Sequence, residues 1–148
     1  GIQGQALGRS RGGFSTKIHL RANAEGLPIG VVLTPGQAHD VTAYDDLMAE
    51  RDADPAILLG DKGYDRDAIR QDQRDRGAVA EIPTKRNRKV QHTVDKPLYA
   101  LRARIECFIN KLKHHRRVAT RYDHTSDSFL GFVLIGCLRV WIRFVHAT

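Results

Sequence analysis

The stretch ILLGDKGYD, residues 57–65, carries the clearest signal for the fold. Its first part, Ile57–Leu59, is a wholly apolar run, which is typical of a strand that is buried on both faces of a parallel sheet. The next glycine ends this run, so Asp61 places a carboxylate at the C-terminal tip of the predicted strand. The polar residues that follow predict a helix with Asp65 as its N-cap and Gly77 just beyond its end.

The residues before this stretch predict a β-hairpin. Apolar and polar side chains alternate over residues 14–22, with Lys17 and His19 on the polar face, where we expect solvent. Turn-forming residues lead into a second strand over residues 28–34, rich in β-branched side chains. Residues 1–13 are polar and rich in glycine, which predicts a segment that is flexible or wrapped on a neighbour.

The residues after it predict one strand, a basic loop and two helices. We expect a short strand over residues 78–83, a loop over 84–97 and a long helix over 98–117. A last helix is predicted over residues 129–146, and its apolar stretch falls short of the about 20 residues that cross a bilayer, which favours a buried helix. With a further helix over residues 40–50, the order is β-β-α-β-α-β-α-α, an α/β chain.

Composition indicates one basic domain with an anionic partner. The chain has 148 residues, with 24 Lys and Arg against 17 Asp and Glu, a formal net charge of +7. Such an excess favours nucleic acid as the partner. The two cysteines, Cys107 and Cys137, are too few for a disulfide framework, and we expect both to be packing residues in a reducing compartment.

Four polar residues of the predicted long helix share one face. At about 100° per residue, Tyr99, Arg102, Glu106 and Lys113 lie within an arc of about 60°, opposite an apolar face. Taken alone, this pattern fits a solvated face with an Arg102–Glu106 ion pair. Together with Asp61, Glu106 instead fits a site for hard divalent cations, since two ions about 4 Å apart need shared carboxylates.

These residues identify a resemblance to a known family. The spacing Tyr99-x2-Arg102-x3-Glu106-x6-Lys113 matches the Y-R-E-K signature of bacterial insertion-sequence DDE transposases. The stretches LLGDKGYD, RSRGGFSTKIH and PGQAHD also resemble blocks of that family, so that the similarity covers nearly the whole chain. The resemblance implies an RNase H-like mixed sheet flanked by helices.

The resemblance also implies roles for these residues. Asp61 corresponds to the second metal-binding carboxylate of the family and Glu106 to the third. Tyr99, Arg102 and Lys113 correspond to the other signature residues, and Lys113 is expected to contact the end DNA of the element. The implied cofactor is a pair of Mg²⁺ or Mn²⁺ ions, and the implied chemistry is DNA cleavage followed by strand transfer.

The chain departs from the family at the first aspartate of its triad. In the family this residue lies on the first, central strand, before the segment that corresponds to RSRGG, and none of residues 1–8 is acidic. Asp40 is a possible substitute, but its position favours a helix N-cap. We therefore expect residues 14–148 to form an incomplete catalytic domain without the first central strand. The chain is then the C-terminal part of a transposase, from a split gene or a decayed copy, and inactive alone.

Two other functions stay open at this stage. The chain could be a catalytically inactive DNA-binding or regulatory fragment, or a housekeeping metal-dependent nuclease, although the full Y-R-E-K spacing disfavours the nuclease. The expected partners are double-stranded DNA of the element ends and target, further copies of the chain, and a segment encoded by the upstream frame. The expected location is the bacterial cytoplasm at the nucleoid, with no membrane partner.

A basic run lies just before the predicted long helix. Lys85, Arg86, Arg88 and Lys89 fall in the predicted loop. This run fits either a wall of a DNA groove or a solvated loop, and its position next to the helix that carries Glu106 favours DNA. The run His114–Arg117 fits a basic helix end, where cations interact favourably with the helix dipole.

Overall fold

Strands and helices divide between two units of the chain. The structure is a computed structural model, and it describes residues 6–10, 13–49, 54–120 and 125–147. Residues 1–38 with 104–148 make up one unit, named here the hairpin unit, and residues 39–103 make up the other, the middle unit. Both contain helices and a small sheet, which confirms the mixed α/β class.

The hairpin unit is built on the predicted antiparallel strands. Strand β2 (Gly13–Ala22) pairs with β3 (Pro28–Pro35), and Gly26 takes a positive φ of 82° in the turn between them. A short strand, β1 (Gly8–Ser10), pairs antiparallel with the start of β2. The segment predicted to be flexible therefore contains three residues whose backbone pairs with β2, and its flexibility stays a prediction. Residues 1–5 and 11–12 of that segment lie outside the described residues.

The polar side of β2 is not solvated as the alternation predicted. The side chain of His19 is buried, and its Nε2 lies 2.8 Å from Oγ1 of Thr34 on the neighbouring strand. Nζ of Lys17 donates a hydrogen bond of 2.7 Å to the carbonyl oxygen of Ala38. Alternation assigns side chains to faces, but it does not reveal that a polar face finds hydrogen-bond partners within the fold.

Three helices complete the hairpin unit: α4 (Ala103–Lys113), α5 (Arg116–Ala119) and α6 (Ser126–Ala147). Their buried side chains pack against apolar residues of β2 and β3, which makes one core from Phe108, Leu112, Val118, Phe129, Val133 and Cys137. Burial raises the pKa of the Cys137 thiol to about 11, which keeps it protonated at neutral pH. The packing role is confirmed for Cys137 and wrong for Cys107, whose side chain is exposed.

Helix α6 is longer and more exposed than predicted. It has 22 residues and is long and apolar enough to cross a membrane by length and composition. Only 22% of its most apolar 18-residue stretch is buried. The expectation of a buried helix is therefore wrong for one of its faces. That face carries exposed apolar side chains, which are Leu134, Ile135, Leu138, Ile142 and Val145. The other face belongs to the core, and Nε1 of Trp141 donates a hydrogen bond to the carbonyl oxygen of Pro28.

The middle unit contains two parallel strands with helices between them. Strand β4 (Ile57–Leu59) pairs with β5 (Val79–Glu81), and both strands lie where the sequence predicted a strand. Burial is less complete than expected, because Ile57 and Val79, paired at the start of the ladder, are exposed. The remaining elements are 3₁₀ helices at Asp40–Ala43 and Lys62–Tyr64 and the helices α1 (Tyr44–Ala49), α2 (Asp67–Asp75) and α3 (Lys96–Ala100).

The predicted long helix over residues 98–117 is wrong, because the chain forms three separate helices there. Between α3 and α4 the amides of Leu101 and Arg102 bond three residues back, to Leu98 and Tyr99. Such tight turns end an α-helix without a helix-breaking residue. The sequence from 100 to 103 contains neither glycine nor proline, so helix propensity predicted an unbroken helix.

The contact between α4 and α6 depends on Gly136. A Cβ at this position would lie 2.4 Å from Cδ1 of the buried Leu112. We expect Gly136→Ala to lower the free energy of unfolding by about 1–3 kcal/mol through overpacking. Gly131→Ala, on the same helix, meets no described atom within 4 Å and should gain up to about 1 kcal/mol in helix propensity. Urea unfolding of both variants tests this, and equal midpoints would contradict the close packing.

Candidate functional site

Asp61 lies where the sequence placed it, just beyond the tip of β4. Its side chain is exposed and caps the 3₁₀ helix Lys62–Tyr64, because Oδ1 accepts a hydrogen bond of 2.7 Å from the amide of Gly63. This bond fixes the carboxylate relative to the strand end. The carboxylate therefore projects from an ordered turn rather than from a long loop.

A second carboxylate, that of Asp40, lies beside the same turn. A Cβ on Gly63 would lie 2.1 Å from Oδ2 of Asp40 and 2.8 Å from Oδ1 of Asp61, so only glycine fits between them. Burial raises the pKa of the neighbouring Tyr64, and the charges of the two aspartates raise it further. The N-cap interpretation of Asp40 is wrong, since the cap position of its 3₁₀ helix is occupied by His39.

The centre of the middle unit is a buried ion pair between Asp65 and Arg70. The Asp65 side chain is 0% exposed and that of Arg70 is 5% exposed, and Nη2 of Arg70 lies 2.9 Å from Oδ1 of Asp65. The same Nη2 donates a hydrogen bond of 2.6 Å to the carbonyl oxygen of Ile82. Asp65 is therefore not the N-cap of α2, a position that Arg66 holds. The sequence showed a cap-forming residue before a helix but not that its carboxylate turns inward.

The environment of Asp65 stabilises its charged form. Burial by itself raises the pKa of this carboxyl. The hydrogen bond from the Lys85 amide, the bond from Arg70 and the charges of Arg88 and Arg70 outweigh burial, so the pKa lies below its ordinary value. Asp65 is therefore ionised at neutral pH, as an interior carboxylate between two guanidinium groups requires.

The same carboxylate holds the basic loop in place. Its Oδ2 accepts a hydrogen bond of 2.8 Å from the backbone amide of Lys85, and its Oδ1 lies 3.3 Å from Nη1 of Arg88. Arg88 also forms an ion pair with Asp67. At the base of the loop, Oγ1 of Thr84 accepts a hydrogen bond of 2.7 Å from the amide of His92. The loop is thus a structured turn rather than a loose solvated segment.

The four basic residues predicted to bind DNA separate into two groups. Lys85, Arg86 and Lys89 have exposed side chains on this turn. Arg88 is partly buried, and its guanidinium is engaged with Asp65 and Asp67. Arg88 therefore orders the loop, and its three neighbours present positive charge to solvent.

The signature residues are distributed over both units. Tyr99 lies on α3, and the guanidinium of Arg102 lies 5.4 Å from the centre of the Tyr99 ring, which is a cation–π distance. Both belong to the middle unit. Glu106 and Lys113 are exposed on α4, in the hairpin unit. Two turns of α4 separate them, so they lie on one side of that helix, as their spacing predicted.

The donor chemistry of Asp61 and Glu106 fits a hard divalent cation, which prefers carboxylate oxygens. Both side chains are exposed and lie on ordered elements. Within the described residues, no group of three or more Asp, Glu, His or Cys side chains is close enough to hold a metal ion.

The class of protein follows from the similarity of the chain to a family of transposases. The family described as "Transposase DDE domain" matches residues 2–141, and the chain belongs to this family. It is 35% identical over 131 residues to a putative transposase for insertion sequence element IS6501 from Brucella ovis, covering 88% of this chain and all of that protein.

A second relative comes from Burkholderia cepacia. It is a putative transposase for insertion sequence element IS402, 30% identical over 135 residues, which cover 82% of this chain and 60% of that protein. No solved structure matches the chain.

We expect Asp65→Asn to lower the free energy of unfolding by about 3 kcal/mol or more, because it leaves the buried Arg70 charge unpaired. Asp67→Asn removes a carboxylate that is 77% exposed and should cost much less. Since the Asp65 pKa is lowered on folding, its contribution is present at neutral pH and is lost as pH falls below about 4. Denaturant unfolding at pH 7 and pH 3 measures both effects, and an equal loss for the two variants at pH 7 would contradict the role of Asp65.

Proposed function

We propose that this chain is the catalytic region of an insertion-sequence transposase with an RNase H-like arrangement, and that it cleaves DNA and transfers strands with the help of divalent metal ions. The observation that carries the proposal is the arrangement in the middle unit. An exposed carboxylate at a strand tip lies four residues before Asp65, which binds the basic loop. Membership of the DDE transposase family supports the same chemistry.

In this proposal Asp61 and Glu106 hold Mg²⁺ or Mn²⁺. When bound there, such ions would supply activation of a water molecule or a DNA 3′-hydroxyl and would neutralise charge on the phosphodiester. The bond from the Gly63 amide orients the Asp61 carboxylate before any ligand binds. Such preorganisation lowers the cost of reaching the reactive geometry.

Basic side chains position the DNA in this proposal. Lys85, Arg86 and Lys89 contact phosphates from the ordered turn, while Arg88 holds that turn through Asp65 and Asp67. Arg102, stacked on Tyr99, and Lys113 on α4 contact DNA near the carboxylates. The partners are the element ends and the target DNA, and the location is the bacterial cytoplasm.

A third metal ligand is needed for the family's chemistry. Among residues 1–39 the only acidic residue is Glu25, which lies in the hairpin turn. We therefore propose that a further carboxylate completes the site, either that of Asp40, which lies beside Asp61, or one from another copy or from a segment encoded by the upstream frame. The scarcity of acidic residues before Asp40 also favours a second candidate function. In it, the chain is a DNA-binding fragment without cleavage activity that regulates transposition.

Substitution of the proposed metal ligands should abolish activity in a completed enzyme. In cells that co-express the chain with the reading frame upstream of its gene, we expect Asp61→Asn and Glu106→Gln each to lower excision of the element at least about 10³-fold, since several kcal/mol of stabilisation are lost. Asp75→Asn, at the exposed end of α2, is the matched control and should retain excision within about 10-fold. Excision that survives Asp61→Asn would overturn the assignment. DNA binding without excision in the unsubstituted pair would favour the regulatory fragment.

The loop cations should determine part of the salt dependence of DNA binding. Lys85→Gln, Arg86→Gln and Lys89→Gln should each reduce the slope of log affinity against log salt by about 0.9, because each removes one phosphate contact. Arg74→Gln, an exposed cation on α2, is the control and should leave the slope unchanged. Fluorescence anisotropy with a short duplex measures the slope. A slope unaffected by all three variants would exclude the loop as a DNA contact.

A further inference from the structure

A basic cleft in the hairpin unit lies between the end of α4 and the middle of α6. Its cavity has a volume of about 320 Å³, which is near the lower end of the range for ligand sites. One wall carries Lys111, His114 and His115, and the other carries Arg139 and Arg143. No residue that lines the cleft is acidic.

The walls of the cleft are fixed by the core. Its floor consists of Leu112, Gly136 and Val140. Leu112 is buried, and Gly136 allows α4 to approach α6, since a Cβ there would lie 2.4 Å from Cδ1 of Leu112. The spacing of four residues places Arg139 and Arg143 on one side of α6. Packing therefore fixes the two helices that carry the cations relative to each other, so that the cleft exists before a ligand binds.

The charges in this cleft are not neutralised by the described part of the chain. Lys111, Arg139 and Arg143 form no ion pair with any residue in the described ranges. Like charges four residues apart on a helix repel each other. An anion that enters the cleft removes this repulsion and accepts hydrogen bonds from both walls.

We propose that this cleft binds the phosphodiester backbone of DNA, as a second contact separate from the carboxylate site. The proposal rests on the proposed function of the chain. Arginine binds phosphate through two parallel hydrogen bonds, and two arginines on one wall suit successive phosphates of a strand. Lys111 lies about 140° around α4 from Glu106, so the cleft faces away from the Glu106–Lys113 side of that helix. The cleft would hold a stretch of DNA that is not being cleaved.

An anionic membrane is the main alternative ligand. Arg139 and Arg143 lie on α6, which also carries exposed apolar side chains such as Leu138. Basic residues beside apolar ones also suit a lipid surface. Membership of a transposase family favours DNA over a membrane as the ligand. The two ligands are distinguished by separate arms of one experiment.

The test uses the 148-residue chain and two double variants of equal charge. Arg139→Gln with Arg143→Gln removes one wall of the cleft, and Arg66→Gln with Arg74→Gln, on the exposed side of α2, is the control. Anisotropy with a short duplex should show a slope of log affinity against log salt that falls by about 1.8 for the cleft variant and is unchanged for the control. Lys111→Glu, on the opposite wall, should weaken DNA binding as well. Weaker binding by both variants cannot come from a folding defect in only one of them.

Each other outcome has a defined meaning. Unchanged binding by the cleft variants, with weaker binding by Lys85→Gln, overturns the cleft proposal and leaves the proposed function standing. A duplex that does not bind the unsubstituted chain overturns both. Binding to phosphatidylserine vesicles that is lost in the cleft variants, with DNA binding unchanged, also overturns the proposal and identifies a membrane site.

Discussion

The buried carboxylate of Asp65 connects the parts of the middle unit that the proposed chemistry needs. It accepts the Arg70 guanidinium, which in turn donates to the carbonyl oxygen of Ile82, just after β5. It also accepts the Lys85 amide and lies next to Arg88. A buried ion pair of this kind contributes little net stability, since its desolvation offsets its attraction, but removing one partner is strongly destabilising. What it contributes here is geometry, because one side chain fixes a strand end, a helix start and the basic loop.

This arrangement explains how an exposed basic loop is kept ordered. The three cations that face solvent repel one another and, without support, favour an extended and mobile segment. Arg88 opposes this repulsion, because its guanidinium forms ion pairs with Asp65 and Asp67 and so ties the loop to the protein. Of the four basic residues in this run, only Arg88 has a structural role. The sequence does not show this, because all four side chains carry the same charge. Only burial and ion-pair geometry separate Arg88 from its neighbours.

The features that the sequence predicted are those set by local periodicity. Alternation over residues 14–22 and the β-branched run after it predicted the hairpin, and the apolar run at 57–59 predicted β4 with Asp61 at its tip. Features that depend on tertiary partners were predicted wrongly. His19 is buried because Thr34 lies within hydrogen-bond distance, and Asp65 turns inward because Arg70 is available one turn into α2. The break after α3 likewise has no signal in helix propensity, since its residues are good helix formers.

Net charge gave the class of partner but not the place of contact, and the reason is physical. A formal charge of +7 is a sum over the chain, and it counts Arg88, whose charge is used internally, equally with Arg139, which has no ion-pair partner in the described residues. Counterion release depends only on cations that reach a phosphate. The cations that we propose for this role are those of the turn ordered by Asp65, those of the cleft at Gly136, and Arg102 and Lys113. Packing, rather than composition, therefore decides which charges are available to DNA.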